Sequence, residues 1–421
     1  MLVVSTTVLK EKGFARNGAD VSDMTETKCE ARFPSIKSVL HIITGLQDGG
    51  AEGILFQLCT HDKDTQHHVV SLMDAGKYGP LLAESGICVT CLNMPRGKVS
   101  ISGIWRLFKL IRKLRPDFVQ TWMYHADLFG GVVARLSGHR NIAWGIHNTA
   151  LVPGASSRSS ILVASLCARL SGLLPRKIIC CAERAREAHC ELGYDPTKML
   201  VIPNGYDLSV FRPDPLSGQN LRAELAISAD EHLIGFVARF DPMKDHDGFL
   251  RALALLKKDG KCPRCLLVGS GMDASNIKLV NRIAELGLDA LVLLLGRRSD
   301  IPAVMNALDL HVMSSIREAF PNVLAEAMAC GTPCVSTEVG DAPVIVGQSG
   351  RIVPPGEPAA LARAISDLLI ERDRPDWAAR CDQARRHVAE HFSVQRMVDG
   401  YRNVWETENK PLQAAIKVKG L

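Results

Sequence analysis

Two successive series of short apolar runs, separated by helical stretches, constrain this chain more than any other feature. Residues 38–43, 117–120, 141–144, 177–180 and 199–202 form the first series. Residues 233–237, 266–268, 291–294, 308–312 and 333–335 form the second. Runs this apolar suit strands buried on both faces, which means parallel strands joined by crossover helices. The pattern predicts an α/β protein with two doubly wound, Rossmann-like domains, and a length of 421 residues accommodates them. Asn204, Gly205, Pro203, Pro213 and Pro215 mark the break between the series, because such residues punctuate regular structure. The expected organisation is an extension over 1–35, a first domain over 36–203, a linker over 204–215 and a second domain over 216–390. A last helix over 391–408 and a tail over 409–421 follow. Ligands of open α/β sheets bind beyond the carboxyl ends of the strands, so the expected site is a cleft between the domains.

Composition excludes several alternatives. With 47% hydrophobic and 23% charged residues the chain is not disordered. A membrane span needs roughly 18 or more consecutive apolar residues. Residues 160–174 come nearest and contain Arg169. The first thirty-odd residues lack the apolar core of a secretory signal, so a cytoplasmic protein is expected. The net charge of +5 is uneven: residues 1–202 carry seven excess positive charges and residues 203–421 two excess negative ones. So small an excess argues against nucleic acid as the ligand. A basic first half suits an anionic substrate or an anionic membrane surface. Thirteen cysteines include two C-x-x-C pairs, Cys88/Cys91 and Cys262/Cys265. Each abuts strand-like sequence and neither has a histidine at finger spacing, so reduced thiols are expected and no zinc site.

Three stretches carry possible chemistry. The first apolar run leads into Asp48-Gly49-Gly50-Ala51-Glu52 and then a helical stretch. Gly49 and Gly50 either let backbone approach an anionic ligand at a helix start or simply make a tight turn. The residues match neither the dinucleotide fingerprint nor a P-loop. Arg239 and Lys244 follow the first run of the second series. There they suit a diphosphate, or else are solvated surface charges. The third stretch runs from residue 316 to 331, with Pro321 suited to the first helical position and Gly331 to the C-cap. Glu326 falls within this apolar helix, where a lone acid is costly unless something satisfies it. A ribose or sugar diol would, since a carboxylate accepts two hydroxyl hydrogens; a partly exposed helix is the alternative. Glu318 precedes the helix, where N–H groups converge.

Taken together these residues resemble a known family. Glu318 and Glu326 form an E-x7-E motif and Arg239 and Lys244 an R-x4-K pair. Asn204-Gly205-Tyr206-Asp207 with Phe211 reads N-G-x-D-x-x-x-F, and Gly49-Gly50-Ala51-Glu52 matches a glycine loop. In this order they resemble glycosyltransferase family 4, retaining nucleotide-sugar enzymes of GT-B fold, from about residue 37 to 406. Phe320, Pro321, Asn322, Val323 and Leu324, with residues 340–343, are similar to members that build bacterial surface polysaccharides. Ala319 stands where the family usually has glycine, and its methyl group would narrow the donor-sugar pocket.

The resemblance implies a nucleoside diphosphate sugar donor, with uridine favoured as the base, and a glycan or lipid-linked acceptor. It implies donor contacts from Gly49, Gly50, Arg239, Lys244, Glu318, residues 320–324 and Glu326. Arg239 and Lys244 would stabilise the leaving diphosphate, Glu318 would orient the sugar and Glu326 would hold the ribose. No metal or other cofactor is expected. A catalytic-site histidine after a central strand of the first domain points to His125, with His147 and Asn148 as second candidates for sugar or acceptor contacts. His147 could equally be a strand-end histidine without such a role. The last helix would cross back onto the first domain, its stripe of Phe392, Met397, Tyr401, Val404 and Trp405 serving packing. Two rivals share this plan: a sugar-nucleotide epimerase, and a binding protein without turnover.

Ile104, Trp105, Leu107, Phe108, Ile111 and Leu114 recur at helical spacing, with Arg106, Lys109 and Lys113 opposite. This is either a sheet-covering helix with a solvated basic face or an edge that docks peripherally on anionic lipid.

Overall fold

The computed structural model describes residues 37–95, 100–148 and 157–406. The extension expected over 1–35, the tail over 409–421 and the end of the last helix at 407–408 lie outside the described residues.

Among the described residues, thirteen parallel strands form two sheets. The first contains β1 (Lys37–Ile43), β2 (Thr65–Ser71), β3 (Cys88–Cys91), β4 (Phe118–Trp122), β5 (Ile142–Ile146), β6 (Lys177–Cys180) and β7 (Met199–Val201), in the order 3-2-1-4-5-6-7. The second contains β8 (Leu233–Val237), β9 (Arg264–Val268), β10 (Val292–Gly296), β11 (Leu310–Met313), β12 (Cys334–Thr337) and β13 (Arg351–Val353), in the order 10-9-8-11-12-13. Both sheets are doubly wound, with strand order reversing between β1 and β4 and between β8 and β11. Those are the two points where loops part and a crevice opens.

Three strands are absent from the apolar pattern, each for a reason. β3 and β13 are edge strands, so they need not be apolar on both faces. β2 carries His67 and His68 in an inner position; His67 is buried because its Nδ1 meets His41 Nε2 at 2.9 Å.

Helices cover both faces of the first sheet. Gly50–His61, Tyr78–Glu84 and the last helix, Val394–Glu406, share one apolar core on one face. Ile101–Leu114, Tyr124–Leu136 and Arg158–Leu170 cover the other. The last helix reaches deep into the first domain: Tyr401 stacks on Trp122 at 5.7 Å and Arg402 pairs with the buried Asp62. Burial opposes ionisation of Asp62, but bonds from His67 and Arg402 hold its carboxyl well below the usual range. Trp122 also donates to His41 Nδ1 at 3.2 Å. His41, His67 and Cys59 lie close enough to hold a metal ion. His41 is hydrogen-bonded through both ring nitrogens, which makes this a connected polar core.

The described cysteines are free thiols. Cys265 is buried within β9 and Cys262 donates to the Leu253 carbonyl. No helix among the described residues is long and apolar enough to cross a membrane.

The Ile101–Leu114 helix departs from the expected division of faces. Leu107 and Ile111 are buried, but Trp105 is 56% and Ile101 85% exposed. Trp105 lies flat on Phe108, with the Lys109 ammonium over its ring at 5.1 Å. Arg106, expected on the free basic face, instead donates to the carbonyls of Cys91 and Leu92 at the end of β3.

Candidate functional site

The loops beyond the two switch points enclose one cleft of about 1130 Å³ between the domains. On the first domain it is bounded by the glycine loop. Gly49 is the N-cap of Gly50–His61. A side chain there would collide with the Glu52 carboxylate, which folds back over the helix start. Gly50 faces the Asn322 amide of the second domain. The glycines therefore bring two helix starts, at Gly50 and Asn322, to the same cleft. Unpaired N–H groups at such ends favour an anion.

On the second domain, Asp241 accepts from the Met243 N–H at 2.9 Å and so caps the single turn Pro242–Lys244. Burial opposes it, but this bond and Arg239 hold the Asp241 carboxyl below the usual range. The loop after β11 grips the same turn. Ile316 N–H donates to the Met243 carbonyl at 2.8 Å, and Ser314 Oγ to those of Lys244 and Asp245. Lys244 is thereby set against Glu318, to which it is ion-paired, and Ser315 Oγ donates to Glu318 at 2.7 Å. Arg239 is more open: its side chain is 68% exposed and pairs with Asp241 at 3.1 Å.

Asn322–Ala329 forms the helix expected after Glu318. Pro321 is its N-cap and not its first residue, while Gly331 lies beyond its end with φ +84°. Glu326 lies on the cleft wall, and burial pushes its carboxyl up to about 7. No side chain among the described residues hydrogen-bonds it.

Not every residue of this stretch faces the cleft freely. The Leu324 side chain is fully buried in the core. Phe320 is 7% exposed, stacked on Tyr206 at 6.5 Å and edge-on to Phe392. Asn322 Oδ1 accepts from Asn204 at 2.9 Å and Tyr206 at 2.5 Å, tying the linker to the helix start. Leu324 is not among the residues lining the cleft, whereas Phe320 and Asn322 line it while also packing against the linker. Val323 and Pro321 line the cleft beside Glu318.

His125 is half-buried in the first turn of Tyr124–Leu136, where burial lowers its pKa, and it is not among the residues lining the cleft. His147 and Asn148, after β5, do line it. His147 is stacked on Trp122 at 5.0 Å, and burial lowers its pKa to about 4, so the imidazole is neutral.

Sequence reasoning missed a second set of charges. Asp48 pairs with Lys77 at 2.7 Å and with Arg297 of the other domain, and Arg298 and Arg317 line the same cleft. The Arg297-Arg298 pair following an apolar run was the available signal, since it places cations at a strand's carboxyl end.

Two family models match the chain: Glycosyltransferase Family 4 over residues 48–210, and Glycosyl transferases group 1 over residues 231–371. The first covers the glycine loop and the second covers Arg239, Lys244 and the E-x7-E pair. This is a family 4-like glycosyltransferase of GT-B fold. HepE of Anabaena, solved in complex with UDP, matches with a TM-score of 0.75 at 26% identity, over 87% of this chain and 98% of its own. A glycosyltransferase of Rickettsia africae gives a TM-score of 0.76 at 19% identity, over 88% of this chain and 98% of its own, a likeness of fold alone. D-inositol 3-phosphate glycosyltransferase of Mycobacterium tuberculosis is 36% identical over 234 residues, 53% of this chain and 47% of that protein. The family 4-like chain thus spans about half the length of the curated relatives it matches.

Proposed function

We propose that the chain transfers a sugar, with retention, from a nucleoside diphosphate sugar to a glycan or lipid-linked acceptor in surface polysaccharide synthesis. One observation carries this: the Lys244–Glu318 pair sits beside the start of the Asn322–Ala329 helix, and Glu326 of that helix opens on the same cleft. The second domain holds the donor. Negative charge grows on the leaving diphosphate as the glycosidic bond breaks. Lys244, Arg239 and the N–H groups at the helix start stabilise it most when it is largest. Glu326 accepts the ribose hydroxyls, and Glu318, steadied by Ser315 and Lys244, orients the sugar. These cations serve the diphosphate without a metal ion.

The first domain shapes the acceptor side. His147 and Asn148, which line the cleft, contact the transferred sugar or the acceptor. The acceptor hydroxyl attacks from the face that the diphosphate leaves. Its proton passes to the departing phosphate oxygen, so no carboxylate pair of the glycosidase kind is required. The complexes of HepE with UDP and UDP-glucose support uridine as the base. Ile101 and Trp105, flanked by Lys109, Arg112 and Lys113, would rest on an anionic membrane where a lipid-linked acceptor is presented.

Thermal shift against a panel of nucleoside diphosphates, followed by product analysis with nucleotide sugars and acceptors, tests the reading. A ligand that prefers the folded form raises the midpoint. UDP should do so, and transfer should give an acceptor carrying the sugar in the donor's anomeric configuration. Inverted product, an isomerised nucleotide sugar without acceptor, or binding with no turnover would overturn it.

A further inference from the structure

The two domains meet through a contact between residues far apart in sequence. Asp341 follows β12 in the second domain and is 5% exposed. Its Oδ2 accepts the N–H of Glu183 at 2.8 Å and its Oδ1 that of Arg184 at 3.1 Å. These are the first two residues of the helix Glu183–Glu191 in the first domain. Ala182, in the N-cap position of that helix, has no side chain able to accept such bonds. One domain thus lends its carboxylate to complete a helix of the other.

The same segment is pressed against the donor loop. Asp341 N–H donates to the Ala319 carbonyl at 3.0 Å. Gly340 has φ +52°, and a side chain there would collide with the carbonyl oxygens of Ala319 and Glu318. Only glycine permits this approach. A continuous path of contacts therefore runs from the helix start at Glu183 through Asp341 and Ala319 to Glu318, and from Glu318 to Lys244.

We propose that Asp341 is a positioning residue for the transfer: by capping a helix of the first domain it couples closure of the cleft to the placement of Glu318 and Lys244. The inference rests on the glycosyltransferase reading above. Separation of the domains would leave two N–H groups and a carboxylate to find water instead of one another. Losing such a cap shifts the closed-to-open ratio by on the order of five- to tenfold.

Hydrogen exchange and kinetics on the full chain test this. Asp341→Ala should raise exchange at the Glu183 and Arg184 amides by about tenfold. Because the path is continuous, exchange should also rise in the 316–320 loop. It should lower kcat by roughly tenfold while the donor KM moves less than about threefold. Asp341→Asn keeps one capping oxygen but turns an NH2 group toward the second N–H, so it should restore only part of both effects. Unchanged exchange at 183–184 in a folded Asp341→Ala variant would overturn the proposal. So would loosening at 183–184 with neither the 316–320 loop nor kcat affected, which marks a purely structural cap. If the wild-type chain transfers no sugar, the functional reading fails by itself, and exchange at the two sites still decides whether they are coupled.

Discussion

Replacing Glu326 with glutamine should make the protein more stable and less able to hold a donor, with both effects following pH. Burial raises the Glu326 carboxyl from its ordinary 4.5 to about 7. Each tenfold of that change is worth about 1.4 kcal/mol, so holding the ionised form in place costs on the order of 3 kcal/mol. The side chain borders an aqueous cleft, which reduces the recoverable part to roughly 1–2 kcal/mol. The sign is fixed by linkage. Well below pH 4.5 both folded and unfolded chains hold the proton and the penalty is nearly absent. Between 4.5 and 7 the unfolded chain releases its proton first and stability falls. Above 7 the penalty is complete. Glu326→Gln should therefore raise the melting midpoint by roughly 2–6 °C at pH 8 and by little near pH 4.5. The variant keeps one acceptor oxygen and loses the other, a charged bond worth roughly 1.5–3 kcal/mol, so nucleotide affinity at pH 8 should drop by about 10–100-fold. In the wild type, affinity should weaken by up to about tenfold per pH unit below 7, and that slope should vanish in the variant. Differential scanning fluorimetry from pH 4.5 to 8, with titration calorimetry at the same points, measures both. A stability gap independent of pH, or unchanged nucleotide affinity at pH 8, would refute the assignment of Glu326 to the ribose.

Lys244→Ala should lower kcat by roughly 10²–10³-fold, the scale for losing one preorganised charge-stabilising donor, with Arg239→Ala somewhat milder because that side chain is more exposed. The double change should cost less than the product of the singles. Wild-type kcat and KM in a folded Lys244→Ala variant would place the donor elsewhere. Excess chelator should leave the transfer rate nearly unchanged, and a collapse reversed by manganese or magnesium would show that the cations do not suffice. Changing Lys109, Arg112 and Lys113 together to Ser should release the chain from anionic vesicles at low salt, each residue contributing on the order of 1 kcal/mol. Arg106 is left in place because it clamps the end of β3. Absence of vesicle binding by the wild type would end the membrane reading.

The two-domain plan was written in local pattern. Strands buried on both faces must be apolar along their whole length, so ten of the thirteen strands announced themselves. Glu326 stood out because an acid within an apolar helix is costly unless something satisfies it, whereas Glu318, Arg239 and Lys244 were marked by the E-x7-E and R-x4-K motifs. β2 was hidden because His67 becomes acceptable inside through His41, 26 residues away, and through Asp62. Leu324 was placed near the ligand by motif, yet its side chain is fully buried in the core and is not among those lining the cleft. His125 was ranked above His147 and Asn148, yet those two line the cleft and His125 is not among the lining residues, an order set by how β4 and β5 lie beside one another. Asp48 facing Arg297, and Asp341 on the amides of Glu183 and Arg184, join residues 249 and at least 157 positions apart. Sequence by itself determined what must be buried, because hydrophobic periodicity is read within a few residues. Which polar groups met across the cleft was decided only by the tertiary structure, because an unpaired N–H or carboxylate can be satisfied from anywhere in the chain that the fold brings within about 3 Å.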